Sequence, residues 1–173
     1  MKGSELRAAQ APLKERYAKE PDAAVVTLSA AGTLGEDISC SVSTGRAIAE
    51  AGLHPATGGD GSLLCSGDML LEALVACAGV TLRAVATSLG ISVATGRVRA
   101  EGDLDFRGTL GVDREAPVGF SGIRLFFELD TDATDEQLTT LRKLTERYCV
   151  VYQTLAGSLG LSTSFDRLER HAA

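Results

Sequence analysis

The segment that most restricts this chain runs from Met69 to Leu82, MLLEALVACAGVTL, in which Glu72 is the only charged residue. Ser66 stands where it can cap a helix, Asp68 complements the dipole in the first turn, and Gly90 supplies a left-handed stop after Leu89. A helix that is apolar on nearly every face has to be covered all round, which one small domain struggles to do alone. A second copy of the chain is the economical cover, so a homodimer is expected. Broken by Glu72, the run is too short to cross a bilayer, and no membrane partner is expected.

The flanking patterns build an α+β domain around that helix. Residues 1–21 read as an arm: Ser4 to about Lys19 places Leu6, Ala9, Leu13 and Tyr17 at helical spacing, and Pro21 stops it. Residues 22–173 form the domain. Ala23 to Ala30 is rich in β-formers, and in Leu34 to Thr44 the residues Ile38, Cys40 and Val42 alternate with serines, so a hairpin is expected. Gly52 to Ser66 reads as a glycine-rich loop, without the Lys-Ser/Thr ending of a phosphate loop. Val93 to Phe106 and the run around Ile123, Leu125, Phe127 and Leu129 predict two more strands. Thr134 and Gln137 match a capping box, opening a second helix whose Leu138, Leu141, Leu144, Tyr148, Tyr152, Leu155 and Leu159 share a face up to Gly160. Leu161 to Leu168 completes the order with a last strand. The expected architecture is antiparallel sheet packed on two long core helices.

Composition removes several function classes. Seventeen Lys and Arg against 23 Asp and Glu leave a net charge of −6, which argues against nucleic acid as a partner, since phosphates need a basic face. The two histidines, His54 and His171, are too few for a histidine metal centre, and the spacings of Cys40, His54, Cys65 and Cys77 match no closed metal site. No metal is expected. No two of the four cysteines form C-x-x-C. The N-terminal residues are charged throughout and lack an apolar signal core, so a cytoplasmic setting with reduced thiols is expected.

Cys77 and Cys149 are the chemical candidates. Each lies midway along one of the two expected core helices, where a lone cysteine usually acts as a small core hydrophobe. Helices packed at about 8–10 Å can, however, bring facing Cα atoms to the roughly 4.4–6.8 Å that a disulfide needs. A pair formed that way would be redox-active. Cys65 reads as a loop cysteine and Cys40 as a core residue.

Two segments carry a resemblance to a known family. SGDMLLEALVACAGVTL resembles the first-cysteine helix of the OsmC family, which includes the organic hydroperoxide resistance proteins; that helix usually reads P-E-E-L-L-x-x-A-x-x-x-C followed by T-L. RYCVVYQTL resembles the second-cysteine helix, usually C-P-x and a short apolar stretch; Val150 stands here in place of that Pro. The resemblance covers about Ala23 to Leu168 and implies an OsmC-like fold, an intertwined homodimer and reduction of organic hydroperoxides as an antioxidant activity. Carried over by position, Cys77 is the peroxidatic cysteine and Cys149 the resolving one, with no cofactor and with an external dithiol as reductant.

A free thiol of pKa about 8.5 is only about 3% thiolate at pH 7, and lowering it to about 6.5 takes about 2.7 kcal/mol of preferential anion stabilisation. The resemblance implies an Arg, held by a carboxylate from the start of the helix, as the source. Gly67 occupies the carboxylate position, leaving Asp68 as its substitute and Arg46 as the candidate cation. Glu72 is a further candidate carboxylate, about 140° around the helix from Cys77. Two other readings stand beside the peroxidase: a small-molecule-binding protein of this fold with passive cysteines, and a redox sensor or sulfur-handling protein.

Overall fold

In the computed structural model the apolar segment forms one uninterrupted helix, α1, over Ser66–Leu89, ended by Gly90 at φ 71°, as its sequence predicts. The structure describes residues 31–34, 39–43, 48–110 and 113–167, with Ser4 and Lys19. The arm expected over 1–21, the strand over 23–30 and Arg46 lie outside these residues. Ser66 is the first helical residue rather than the cap; Cys65 holds that position and makes no side-chain capping bond. The reason is local: strand pairing extends through Cys65 and the helix follows at once.

The described residues form six strands in two sheets. β1 (Ala31–Leu34), β2 (Ser39–Ser43) and β3 (Ile48–Gly52) pair antiparallel in order, and β4 (Leu64–Cys65) joins β3 in parallel. The expected loop over 52–66 thus holds a strand end, a 3-10 turn at Pro55–Thr57 and β4. β5 (Thr95–Leu104) and β6 (Phe120–Asp130) form a separate antiparallel ribbon, joined through a short helix, α2 (Phe106–Thr109). Phe106, expected in a strand, belongs to α2.

The ribbon has the two faces that alternation requires. Ile123, Leu125, Phe127 and Leu129 are half-buried, while Arg124, Glu128 and Asp130 are exposed. On the outer face Arg97 opposes Glu128 and Glu101 opposes Arg124, and Arg124 also pairs with Asp103. Arg99 lies 4.2 Å from the Phe126 ring centroid, which explains why this outward aromatic is half-buried. Gly102 is demanded by crowding, since a Cβ there would come within 2.5 Å of the Phe120 ring.

α3 (Asp135–Tyr148) opens with the predicted capping box: the Thr134 hydroxyl accepts from the Gln137 N–H at 3.3 Å, and the Gln137 side chain accepts from the Thr134 N–H at 2.9 Å. Replacing Thr134 with Ala is expected to cost about 1 kcal/mol in urea denaturation; an unchanged midpoint would show that the first turn is held by something else. The second long helix is not continuous. It breaks at Cys149, whose ψ of 108° is extended, and resumes as α4 (Val150–Ala156), ending at Gly157 instead of Gly160.

The strand expected over Leu161–Leu168 is also absent from its described part, since residues 158–167 carry no regular element. A strand is held by its ladder, and this stretch pairs with none of the described strands. Leu161 and Phe165 stand 94% and 95% exposed.

The core is the seam where α1 meets α3 and α4. Leu74, Ala78, Leu82 and Val85 recur at helical spacing on α1, facing Leu141, Thr145 and Cys149. α1 includes an 18-residue window of mean hydropathy 1.8, so by length and composition it is long enough to cross a membrane, which corrects the expectation drawn from the shorter run. In the fold one side of it is packed on protein, while Leu70 and Val80 on other sides remain 38% and 73% exposed.

Candidate active site around Cys77 and Cys149

The helix break builds the site. Cys149 ends α3, with its N–H bonded to the Thr145 carbonyl at 2.9 Å, and starts α4, with its carbonyl accepting from Gln153 at 2.9 Å. The N–H groups of Val150, Val151 and Tyr152 therefore open a helix and have no carbonyl one turn back to bond. The Val150 and Val151 N–H groups act to lower the Cys77 pKa, and those of Tyr152 and Val151 act to lower the Cys149 pKa.

Cys77 packs against the buried cluster that contains Cys149. Both are free thiols. Cys149 is buried to 1% exposure against Leu74 and Ala78, whereas Cys77 is half-buried at the edge of the same cluster. For Cys77, burial is the largest single influence and pushes the pKa up. The hydrogen bonds from the Val151 N–H, the Cys149 thiol, the Val150 N–H and the Thr81 hydroxyl together outweigh it, and the pKa lies below that of an ordinary thiol. Cys149 moves the opposite way, raised first by burial and then by its bond to Cys77 and the charge there, against the lowering effect of the Tyr152 and Val151 N–H groups. The pair thus holds one sulfur that ionises more easily than an ordinary thiol and one that ionises less easily.

The other predicted residues are not brought to this pair. Asp68 and Glu72 are exposed and line an open groove between α1 and β5. Among the described residues no guanidinium acts on Cys77. Arg83 donates to the Val93 carbonyl, and Arg147 lies 5.7 Å from the Tyr148 ring centroid. Cys65 is a half-buried free thiol in a separate cavity of about 350 Å³ shared with His54, Asp68 and Phe106. His54 is occupied there, its Nδ1 accepting from the Ala56 N–H at 3.0 Å and its ring stacked on Phe106 at 5.0 Å.

Sequence reasoning missed Thr81, Val150 and Val151 as influences that lower the Cys77 pKa. The i, i+4 spacing of Cys77 and Thr81 was the available signal for the first; the backbone donors depend on a break that side-chain periodicity does not reveal.

A cavity of about 430 Å³ adjoins the pair, lined mainly by Leu74, Phe120, Ile123, Leu125, Phe127 and Tyr152, with Arg142 and Glu146 also on its wall. Five of these, all but Phe120, Arg142 and Glu146, also pack on the cysteine cluster. Neither sulfur lines the cavity itself.

Comparison with solved structures finds the same fold. The chain is similar to an OsmC-like protein from Mycoplasma pneumoniae, with 18% identity, a TM-score of 0.64, and 76% of this chain and 89% of that one covered. It is similar to an organic hydroperoxide resistance protein OsmC from Legionella pneumophila, with 18% identity, a TM-score of 0.61 and coverages of 78% and 92%. An organic hydroperoxide resistance protein from Elizabethkingia anophelis gives 16%, 0.60, 77% and 90%. No curated protein matches the chain. The family model described as OsmC-like protein matches residues 59–164, more than half of the sequence and both cysteine helices. The chain belongs to the OsmC-like protein family.

Proposed function

We propose that this protein is a thiol-dependent peroxidase that reduces organic hydroperoxides, with Cys77 peroxidatic and Cys149 resolving. The observation that carries the reading is the placement of two free thiols in one packing cluster, with the Cys77 pKa lowered and the Cys149 pKa raised. In the first step the Cys77 thiolate attacks an oxygen of the O–O bond, which breaks. The sulfur is oxidised to a sulfenic acid, and the alkoxide leaves to take up a proton as the alcohol. In the second step Cys149 sulfur attacks the sulfenic sulfur, the S–S bond forms, and the hydroxyl leaves as water. An external dithiol then reopens the disulfide and is itself oxidised.

Two further features fit this reading. The mainly apolar cavity shares Leu74, Ile123, Leu125, Phe127 and Tyr152 with the packing around the cysteines, which suits a hydroperoxide with an organic group. Two solved relatives of the same fold are organic hydroperoxide resistance proteins. The protein acts, on this reading, as a homodimer in the cytosol, the exposed Leu70 and Val80 of α1 lying in the subunit contact.

The test is one equivalent of cumene hydroperoxide added to the fully reduced chain. The expected result is one equivalent of alcohol and a Cys77–Cys149 disulfide in the peptide mass map. If the hydroperoxide is recovered intact while both thiols stay reduced, the reading gives way to ligand binding in the adjoining cavity.

A further inference from the structure

We propose that the Thr145 hydroxyl acts in the resolving step: without a partner in the reduced protein, it donates to the Cys149 sulfur when that sulfur ionises to attack Cys77. Its place in turnover rests on the peroxidase reading above; its response to ionisation of Cys149 does not.

Thr145 lies on α3, four residues after Leu141 and four before Cys149, so the three run along one helical face. Each is 1% exposed. Leu141 packs in the cluster of Leu82, Val85 and Ala86, and Cys149 in that of Leu74 and Ala78. Among the described residues Thr145 is the one buried polar side chain, and its Oγ1 makes no hydrogen bond. A helical threonine commonly bonds back to the carbonyl four residues earlier, as Thr87 does with Arg83 at 2.7 Å and Thr140 with Glu136 at 2.9 Å. Thr145 forgoes even that bond. A buried hydroxyl left unpaired is costly, and valine has the same shape without the cost.

The next residue along this face supplies the partner. The Cys149 N–H still bonds the Thr145 carbonyl at 2.9 Å, and its φ of −74° is helical, so its side chain leans back over the turn that holds Thr145. A thiol sulfur is a weak acceptor, whereas hydrogen bonds to an ionised group are the strong ones. The bond therefore forms on ionisation, by rotation between the two χ1 positions that threonine favours in a helix. No cation competes for the sulfur within its cluster. The titratable neighbours are Cys77 from α1 and Tyr152 from α4, and the β5 and β6 residues there, Ala100, Ile123, Leu125 and Phe127, are uncharged. In the step itself the Cys149 proton leaves with the sulfenic hydroxyl as water, the S–S bond forms, and Thr145 keeps its own proton.

The experiment compares wild type, Thr145→Val and Thr145→Ser, and its main arm needs no hydroperoxide. Reduced protein is treated with dithiobis-nitrobenzoate, which converts Cys77 to a mixed disulfide; Cys149 then displaces the thionitrobenzoate and closes the Cys77–Cys149 disulfide. Closure is followed across pH by acid quenching and peptide mass mapping. Thr145→Val is expected to close about tenfold more slowly at pH 7, with its profile moved up by about one pH unit. Thr145→Ser is expected to restore the wild-type profile. The urea midpoint of Thr145→Val is expected at or above that of wild type, because no bond is lost. A valine profile that overlays wild type, a serine variant as slow as valine, a valine midpoint below wild type, or a wild type that never closes the disulfide overturns the proposal. If wild type closes the disulfide yet consumes no cumene hydroperoxide, the peroxidase reading fails while the closure rates still decide the role of Thr145.

Discussion

Replacing Cys77 with serine is expected to drop hydroperoxide consumption to the uncatalysed background, a loss on the order of a thousandfold or more. Serine preserves the shape and the helix but presents a hydroxyl that is essentially un-ionised at neutral pH, whereas the reaction needs an anion at that position. The wild-type rate carries a second signature. Because the Cys77 pKa is lowered, activity should rise with pH through that lowered value and level off before the range in which an ordinary thiol ionises. Steady-state consumption of cumene hydroperoxide with excess dithiol, measured for both proteins across pH, checks both points. A Cys77→Ser protein that keeps activity within tenfold of wild type would remove Cys77 from the mechanism.

The fold was legible where one side-chain pattern sufficed. The run from Ser66 to Leu89 forms α1 because no proline interrupts it before Gly90, and Thr134 with Gln137 marked the start of α3 through a local exchange of hydrogen bonds. The alternation from Ile123 to Asp130 separated the two faces of β6. What failed depended on backbone events with no periodic signature. The heptad-like series from Leu138 to Leu159 runs across the break at Cys149 without a change of phase that would announce it, and Val150, unlike a proline, does not mark it. Leu161–Leu168 has strand-like composition, yet composition cannot supply the neighbouring edge that a strand requires.

The site divides in the same way. That Cys77 and Cys149 could meet was legible in their places on two helices expected to pack, and Cys77 packs against the cluster that holds Cys149, although Cys149 lies at a helix break rather than midway along a helix. The source of thiolate stabilisation did not follow. Sequence reasoning sought a charge, in Arg46, Asp68 or Glu72, because charged residues are visible in a sequence and backbone dipoles are not. Among the described residues the groups that lower the Cys77 pKa are neutral: two N–H groups at the helix break, one hydroxyl and the second thiol. Val150 illustrates the point. It departs from the family pattern of proline after the second cysteine, and it retains an N–H, which a proline lacks, that acts to lower the Cys77 pKa.

Replacing Cys149 with serine is expected to leave the first reduction intact and to stop catalytic cycling. The first step needs only the Cys77 thiolate, and one equivalent of alcohol should still appear. The sulfenic acid then has no adjacent sulfur with which to condense, so further hydroperoxide should carry it to the sulfinic acid, seen as two added oxygens on the Cys77 peptide. The wild-type geometry explains why the normal partner wins that competition. The Cys149 pKa is raised, through burial first and then through its bond to Cys77 and the charge there. On the proposed mechanism, conversion of Cys77 to a neutral sulfenic acid would remove that charge and favour ionisation of Cys149 for its attack. Multiple turnovers by Cys149→Ser at the wild-type rate, with Cys77 recovered as thiol, would show that the external dithiol reduces Cys77 directly and that Cys149 is a packing residue.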